Sequence, residues 1–270
     1  MLKAEADIFN VKIGLHQLIF SDNKKENLKK IVTAIEGSDA DLDIFPEYAM
    51  GVTKRGVTRE FVKKTAEPLE GPFISEIVEK TRELGKNIVF TAYLREGESI
   101  FNAALLAENG NVNLIYRKIH LFDAYGHRES DVFTSGTRLA IKTVGRFKVG
   151  LAVCFDLRFP ELFRAMAYRG VELFIVPASW YRGKYKHVQW LALTAARAHE
   201  NLAFLVAVNQ TGEIFSGRSL VATPMGHTLV DLGEDEKSLT IDIDVEEVKK
   251  ARRLVPTLNL ARTDLYRKWI

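Results

Sequence analysis

A short apolar run that ends at the only cysteine of the chain, and is followed at once by a helical pattern, constrains the fold more than any other stretch. Residues 149–153 are almost wholly apolar, which is typical of a strand buried on both faces. After Cys154, apolar residues such as Leu162 and Met166 recur at helical spacing, and Pro160 suits the first turn of a helix. Cys154 therefore lies at a strand-to-helix turn, where catalytic groups concentrate in α/β proteins because backbone N–H groups at a helix start hold negative charge.

Position alone does not identify Cys154 as a nucleophile, because a lone cysteine after an apolar run is more often a small buried hydrophobic residue. Two further stretches favour catalysis. Glu47 follows the strand-like residues 42–45, and Lys118 follows the strand-like residues 112–116. Each charged residue, taken alone, would be expected on the surface. Together, a carboxylate, an ammonium and a thiol at the ends of strands predict one shared site.

Charge and composition argue against several classes of protein. The 38 Lys and Arg residues and 35 Asp and Glu residues give a net charge of +3, spread along the chain, so no basic patch indicates nucleic acid or an anionic membrane surface. No apolar run approaches the length of a bilayer span, and residues 1–10 are acidic where a secretory signal would be basic and then apolar. One cysteine allows no internal disulfide. We therefore expect a soluble cytoplasmic protein.

The pattern of strands and helices predicts a single domain over residues 1–270. Strand–helix units occur in both halves, around residues 11–45 and 149–176, and strand hairpins lie between them, one of which turns at Asn109-Gly110. This arrangement implies an α/β fold with two stacked sheets that are covered by helices on their outer faces. The tail, about residues 255–270, is polar and aromatic, and we expect it to dock on a partner subunit.

Two local expectations concern the surroundings of a site. Residues 49–68 are polar without a clear period and are predicted to form a long loop. Residues 184–200 are predicted to form a helix, and Trp190 is expected to lie off its inner face and to face a second subunit. The residues expected on that inner face are Val188, Leu191, Ala195 and Ala198.

Three residues suffice to hydrolyse an amide through a thioester. A thiol must lose its proton before it attacks a carbonyl; an ammonium such as Lys118 favours the thiolate, and a carboxylate such as Glu47 can take the proton. The oxyanion of the tetrahedral intermediate can be stabilised by Lys118 and by the backbone N–H of Phe155, which follows Cys154. One carboxylate can serve as base toward the thiol, as acid toward departing ammonia and as base toward water.

Three segments carry a resemblance to a known family. PEYAM, YRKIHLFD and GLAVCFDLRFPELFR resemble the signature segments of the nitrilase superfamily of carbon–nitrogen hydrolases, in the family's order and at suitable separations. The resemblance extends from the first strand to Asp244. It implies a four-layer αββα sandwich, which commonly pairs through outer helices into an αββααββα homodimer or a higher homo-oligomer. It implies no metal and no organic cofactor.

The resemblance also implies roles for residues by their position in the motifs. Glu47 corresponds to the general base, Lys118 to the residue that stabilises the oxyanion and the transition state, and Cys154 to the nucleophile. Many members carry a second glutamate after the lysine motif, which positions substrate and lysine. Glu129, in HRESDVF, resembles it. The alternative for Glu129 is a surface ion pair with Arg128 or Arg138, an interaction that contributes little to stability.

The segment PASW resembles the substrate-side loop of the family, and Trp180 within it follows a predicted strand, so we expect this side chain to line the pocket. Simple packing is the alternative for an aromatic residue of this size. Arg182, Lys184 and Lys186 lie close by in sequence. One of them could bind a substrate carboxylate if it faces the site, and solvation of all three is the alternative.

Other interpretations remain for the same residues. A Cys–His protease needs a histidine partner for Cys154, and no signature of that class surrounds it. His120, Asp123 and His127 have suggestive spacing for a metal, but they match no recognised ligand pattern. A catalytically silent scaffold that keeps the fold is the non-enzymatic alternative, and the intact trio argues against it.

The sequence thus predicts a thiol amidase that cleaves a linear, non-peptide C–N bond in a small carboxylic amide and releases ammonia. The resemblance is strongest to the branch of ω-amidases, which act on monoamides of α-keto dicarboxylic acids, and of deaminated-glutathione amidases. The same three residues would serve a nitrilase, which attacks C≡N, or an N-carbamoyl amide hydrolase. The substrate therefore stays open between a small amide, a nitrile and a carbamoyl compound.

Overall fold

The computed structural model of the protein describes residues 10–269. Residues 1–9, on which the expectation of no secretory signal largely rests, lie outside that range, as does the last residue of the predicted tail. Within residues 10–269, twelve strands form two six-stranded sheets. The strands are β1 (Asn10–Gln17), β2 (Leu42–Ile44), β3 (Asn87–Glu96), β4 (Ser99–Glu108), β5 (Asn111–Arg117), β6 (Ala140–Val144), β7 (Phe147–Leu151), β8 (Leu173–Ala178), β9 (Phe204–Asn209), β10 (Leu220–Ala222), β11 (Thr228–Asp231) and β12 (Lys237–Asp244).

Helices alternate with these strands in both halves of the chain. Two of the helical segments are short 3₁₀ turns, Glu129–Asp131 and Cys154–Arg158, and both carry predicted site residues. The α-helices are α1 (Lys24–Glu36), α2 (Arg59–Thr65), α3 (Pro72–Leu84), α4 (Pro160–Ala167), α5 (Lys186–Asn201), α6 (Val245–Leu254), α7 (Thr257–Leu260) and α8 (Thr263–Trp269).

The two sheets pack face to face, and helices cover their outer faces. The first sheet has the order β12-β1-β2-β3-β4-β5 and the second β11-β10-β9-β8-β7-β6, each with a parallel centre and antiparallel edges. Apolar side chains of both sheets, such as Ile13 and Ile44 from the first and Val149 from the second, share one core. A second core lies beneath α1 and α3 on the first sheet. This is the predicted four-layer αββα sandwich.

The first sheet shows why the sequence patterns form these elements. Asn109 and Gly110 both have positive φ and turn β4 into β5, as the Asn-Gly pair predicts. Helix α3 begins at Pro72, whose missing N–H costs nothing in a first turn, and ends at Gly85 in the left-handed conformation. Burial of Ile74 on one face then holds the helix against the sheet.

Two local expectations were wrong. The predicted loop 49–68 contains helix α2, whose N-cap is Thr58; with one apolar residue, Val62, fully buried, it shows too little periodicity to be recognised. In α5 the predicted inner face is rotated, because Trp190 is fully buried while Val188 is 64% exposed. Polar residues occupy the buried face with Trp190, and each makes a hydrogen bond to a backbone oxygen; they are Thr194, Arg197 and Asn201.

The segment after Cys154 does not form one continuous helix, as its helical spacing predicts. It forms a short 3₁₀ turn that is separated by one residue from helix α4. Phe159 is extended, because the residue before a proline avoids the helical region, so the 3₁₀ turn stops there and α4 starts at Pro160. None of the helices between residues 10 and 269 combines the length and apolar character that a bilayer span requires.

Candidate active site

The three residues singled out in the sequence meet where strands of both sheets end. Glu47 follows β2, Lys118 follows β5, and Cys154 begins the 3₁₀ turn after β7. Lys118 Nζ donates to Glu47 Oε1 at 2.9 Å, and Lys118 and Cys154 line the same cavity. All three side chains are buried. Ser179, directly after β8, donates its backbone N–H to Glu47 Oε2 at 3.0 Å, which joins the second sheet to the carboxylate.

Glu129 belongs to the same cluster. Its Oε2 lies 2.9 Å from Lys118 Nζ and accepts the N–H of Phe122 at 2.6 Å. The side chain is 2% exposed, and its neighbour Arg128 pairs with Asp131 instead. The alternative of a surface ion pair is therefore excluded for Glu129. Lys118 contacts both carboxylates with one ammonium group.

Asn102, in the middle of β4, completes a ring of polar groups. Its Nδ2 donates to Glu47 Oε1 at 2.8 Å and to Glu129 Oε1 at 2.9 Å. Its backbone oxygen accepts the N–H of Lys118 at 2.9 Å. Tyr48 adds a longer contact, 3.4 Å from its hydroxyl to Glu129 Oε1. The ammonium of Lys118 and the amide of Asn102 thus each bridge the two carboxylates.

The backbone around Cys154 is held in an uncommon conformation. Cys154 has φ 45°, in the left-handed region that side chains other than glycine rarely adopt. The first bond of its 3₁₀ turn runs from Asp156 N–H to Val153 O at 3.0 Å, so the amides of Cys154 and Phe155 precede the bonded part of the turn. The amide of Phe155, predicted to face an oxyanion, is therefore not used within the turn.

Asp156 fixes this turn against the strand that carries the lysine. It is fully buried and accepts the Tyr116 hydroxyl at 2.8 Å, the Val153 N–H at 2.9 Å and His120 Nδ1 at 2.7 Å. The His120 ring also stacks on Phe159, with ring centroids 3.6 Å apart. Two signature segments, one from each sheet, are therefore bonded to one carboxylate.

Burial controls the proton affinities in the cluster. It raises the pKa of the Cys154 thiol well above its usual value, and the charge of Glu47 adds to this rise, while Lys118 opposes it. Burial also raises the pKa of Glu47, although Lys118 opposes that shift as well. Burial acts to lower the pKa of Lys118, but the charges of Glu129 and Glu47 outweigh it and raise that pKa. Burial of Cys154 beside Glu47 thus favours the protonated thiol.

The cavity over Cys154 is narrow and mainly aromatic. Its volume not filled by atoms is about 290 Å³, part of which is open to solvent. Trp180 lines it as predicted and packs as well, since its ring lies 5.4 Å from that of Trp190. The remaining lining residues include Tyr48, Phe122, Tyr181 and Lys186. A small acyl group fits such a space better than a peptide.

Of the three basic residues after Trp180, only Lys186 lines the cavity. Its Nζ lies 3.7 Å from the ring centroid of Tyr125. Arg182 instead bonds the carbonyl of Gly212 and pairs with a surface carboxylate, and Lys184 is exposed over the ring of the next residue.

The family model described as carbon-nitrogen hydrolase matches residues 12–253. The chain belongs to the carbon–nitrogen hydrolase family. It is 30% identical over 227 residues to a deaminated glutathione amidase of Escherichia coli O157:H7, covering 83% of this chain and 86% of that protein. The identification of the nitrilase superfamily and the prediction of a hydrolase acting on amide C–N bonds are therefore confirmed.

Solved structures agree with this membership. A CN-hydrolase superfamily protein of Xanthomonas campestris, which carries an arsenic adduct in its active site, superimposes with a TM-score of 0.84 at 27% identity, covering 93% of this chain and 97% of that chain. An amidase variant of Nesterenkonia sp. AN1, in which the acetamide moiety of fluoroacetamide is covalently added at the active-site cysteine, gives 0.77 at 25% identity, covering 96% and 97%.

The alternative metal site of this carbon–nitrogen hydrolase does not assemble. His120 is committed to Asp156 and Phe159, and His127 stacks on Tyr181 with ring centroids 4.7 Å apart. Asp123 accepts a backbone N–H from the following turn. Across residues 10–269, no group of three or more His, Cys, Asp or Glu side chains is arranged to hold a metal ion.

Sequence reasoning missed several polar residues of the site. Asn102 and Gln210 are fully or almost fully buried, and Gln210 Nε2 donates to the backbone oxygen of Glu47 at 2.9 Å. Both stand out in the sequence as polar residues inside or directly after an apolar strand, Phe204–Asn209 in the case of Gln210. Buried polar residues need partners, so this pattern was a usable signal.

Proposed function

We propose that this enzyme hydrolyses a small carboxylic amide through a thioester on Cys154, with Glu47 as general base and Lys118 as the cation that stabilises the oxyanion. The observation that carries the proposal is the shared cavity in which a buried thiol and the Lys118 ammonium meet, with Glu47 bonded to that ammonium. The active-site cysteine of the Nesterenkonia amidase, which takes up an acetamide group covalently, supports the same role for Cys154.

The hydrogen bonds that the two carboxylates accept support different roles for Glu47 and Glu129. Glu129 accepts two hydrogen bonds on each oxygen, from Asn102 and Tyr48 on Oε1 and from Lys118 and Phe122 on Oε2. Each carboxylate oxygen offers about two acceptor positions, so no position is left for a further proton. Glu129 is therefore proposed as a positioning residue.

Glu47 has one acceptor position left. Its Oε1 accepts from Lys118 and Asn102, whereas Oε2 accepts a single hydrogen bond within residues 10–269, from the backbone N–H of Ser179. The free position on Oε2 is the one that could receive the proton of Cys154.

The first half-reaction follows from these positions. As Cys154 Sγ bonds to the amide carbon, its proton moves to Glu47 Oε2, so a thiolate need not exist beforehand. The carbonyl oxygen becomes an oxyanion, which Lys118 Nζ and the Phe155 N–H stabilise. Glu47 then passes the proton to the amide nitrogen, the C–N bond breaks, and ammonia leaves a thioester on Cys154.

The second half-reaction uses the same groups. Water attacks the thioester carbon while Glu47 takes one of its protons, and the second oxyanion again faces Lys118. Collapse of this intermediate breaks the C–S bond, and the proton on Glu47 returns to the sulfur. The products are a carboxylic acid and the restored thiol, so atoms and protons balance without a cofactor.

The test is to trap the acyl-enzyme during turnover. Wild-type protein mixed with a small amide and quenched in acid is expected to gain the mass of the acyl group, and peptide mapping should locate it on Cys154, the only cysteine. The Cys154→Ala variant should gain no mass and release no ammonia. Ammonia release by that variant at the wild-type rate would contradict the nucleophile assignment.

We further propose that the substrate carries a carboxylate. Lys186 lines the cavity and Arg158 lies over the ring of Trp180, another lining residue, and within the described chain neither cation is paired with a carboxylate. The Arg158 guanidinium lies 4.8 Å from the ring centroid of Trp180, and its buried Nε has no hydrogen-bond partner there. Two cations without anions beside a small cavity fit a short acid amide, such as a monoamide of an α-keto dicarboxylic acid.

Replacing Lys186 by glutamine is expected to raise KM for α-ketoglutaramate about ten- to a hundredfold, because a charge-assisted hydrogen bond is lost, with little change in kcat. A neutral amide such as propionamide should show no such change. Lys184→Gln, an exposed lysine of the same turn, is the matched control. Equal KM values for Lys186→Gln and wild type would exclude this contact. If the enzyme acts only on N-carbamoyl amino acids or only on nitriles, the proposal that it hydrolyses amides is wrong.

We also propose one domain that assembles as a homodimer or a larger homo-oligomer. The core shared by the two sheets supports a single domain. Exposed apolar side chains near the C-terminus, among them Leu260 and Trp269, support docking of the tail on a second subunit. Light scattering tests the assembly, and a monomer mass would contradict it. The free thiol of Cys154 supports a reducing compartment such as the cytoplasm, which cell fractionation tests.

A further inference from the structure

Among residues 10–269, Asn102 is the one neutral side chain that donates hydrogen bonds to both buried carboxylates. Both N–H groups of its side-chain amide are used, one on Glu47 Oε1 and one on Glu129 Oε1. Lys118 contacts the same pair of carboxylates with its ammonium. Removing the amide would leave an oxygen of each buried carboxylate with one donor fewer.

The orientation of the Asn102 side-chain amide depends on whether Glu47 and Glu129 are ionised. The reverse orientation would place the Asn102 oxygen against Glu47 Oε1 and Glu129 Oε1, which is repulsive while both groups are ionised. In the orientation present, Oδ1 is buried without a hydrogen-bond partner among residues 10–269. A buried acceptor without a partner opposes folding, so the two donor bonds must outweigh it.

We propose that Asn102 is a positioning residue that keeps Oε1 of both glutamates as acceptors, so that the thiol proton goes to Oε2 of Glu47 and one N–H of Lys118 stays free for the substrate oxygen. The inference rests on the proposed function. Two of the three N–H groups of Lys118 are held by the carboxylates. Because Asn102 fixes where those carboxylates lie, it also fixes where the third N–H points.

The expected pH effect has a definite sign. Asn102 donates to the ionised form of Glu47 and therefore favours it. Without that bond the pKa of Glu47 rises, and the base is lost at a higher pH. The other titratable groups that face Glu47 are unchanged by the substitution; they are Lys118, Glu129, Cys154, Tyr48, Tyr93 and Tyr181.

The experiment measures the pH profile of Cys154 alkylation by iodoacetamide, which reports on one site because the chain has one cysteine. In Asn102→Leu the acid limb is expected to move up by about one pH unit. We also expect kcat/KM for the amide at neutral pH to fall about ten- to a hundredfold, mainly in kcat. Asn102→Ser keeps one donor, so its acid limb and kcat/KM should lie between those of Asn102→Leu and wild type. This variant replaces Asn102→Leu in the test if the leucine variant does not fold.

Asn113→Leu, on the exposed edge strand β5, is the control for the same substitution. A lower melting temperature of both Asn102 variants, with an acid limb like that of wild type, would overturn the inference and leave a structural role only. That result would leave the proposed function intact. The proposed function fails separately if Cys154→Ala still releases ammonia.

Discussion

Replacing Glu47 by glutamine is expected to lower kcat/KM for amide hydrolysis by about 10⁴-fold, because we propose that this carboxylate serves as base and acid in several steps. The glutamine has nearly the same shape and can still accept from Lys118 and Asn102. It cannot take the proton of Cys154, whose pKa is raised by burial. Stopped-time ammonia assays and the rate of acyl-adduct formation by intact mass would measure the loss.

The variant Glu129→Gln is the internal comparison, because both glutamates contact the same ammonium. A positioning residue whose acceptor positions are all occupied is expected to affect the rate less, about ten- to a hundredfold. A loss in Glu129→Gln equal to or larger than that in Glu47→Gln would reverse the two assignments. If Glu47→Gln retains more than a tenth of wild-type activity, Glu47 is not the general base.

Replacing Lys118 by methionine is expected to abolish measurable activity and to lower the free energy of unfolding by about 3–5 kcal/mol at neutral pH. The substitution preserves most of the side-chain volume but leaves two buried carboxylates without their cation, and breaking a buried ion pair by removing one partner carries a cost of this size. The expected loss of activity follows from removing the cation that we propose stabilises the oxyanion.

The pH dependence of this destabilisation follows from Glu47. Burial raises the pKa of Glu47 in the folded protein although Lys118 opposes the shift. A carboxyl group with a raised folded-state pKa stabilises the fold below its unfolded pKa, and this stabilisation is lost as pH rises through the folded pKa. Without Lys118 the folded pKa rises further, so the stability of Lys118→Met is expected to fall from about pH 4.5 upward more steeply than that of wild type.

Chemical denaturation of wild type and Lys118→Met between pH 5 and 8 tests this expectation. This pH range lies above the ordinary pKa of a carboxyl group. The double variant Glu47→Gln/Lys118→Met should recover part of the lost stability, because one of the two unpaired charges is gone. Lys184→Met is the control for an exposed lysine. A loss in Lys118→Met that does not change with pH would point to packing rather than to buried charge.

The fold could be predicted from the sequence because its strands are short apolar runs bounded by turn residues. The run at residues 149–153 and the Asn109-Gly110 turn both appear where the patterns place them. The buried face of α5 could not be predicted, since Arg197 is buried through its bond to the Leu157 carbonyl, 40 residues away in sequence. Apolar periodicity cannot anticipate partners of that kind.

For the site, the sequence placed Glu47, Lys118 and Cys154 at strand ends, and the structure brings them together. Chain patterns could not indicate that Asn102 bridges two carboxylates, because the bridge depends on the pairing of β4 with β5 and on the turn that carries Glu129. Distances across strands follow from register, which sequence fixes only weakly at irregular ends.

The carboxylate of Asp156 has a consequence for how the enzyme loses activity on heating. Since it holds the segment before Lys118 and the turn at Cys154 through bonds to Tyr116, His120 and Val153, neither segment can loosen alone without leaving a buried carboxyl group short of hydrogen-bond donors. We therefore expect the site to lose its arrangement only when the whole sandwich unfolds cooperatively. Inactivation and unfolding curves should coincide.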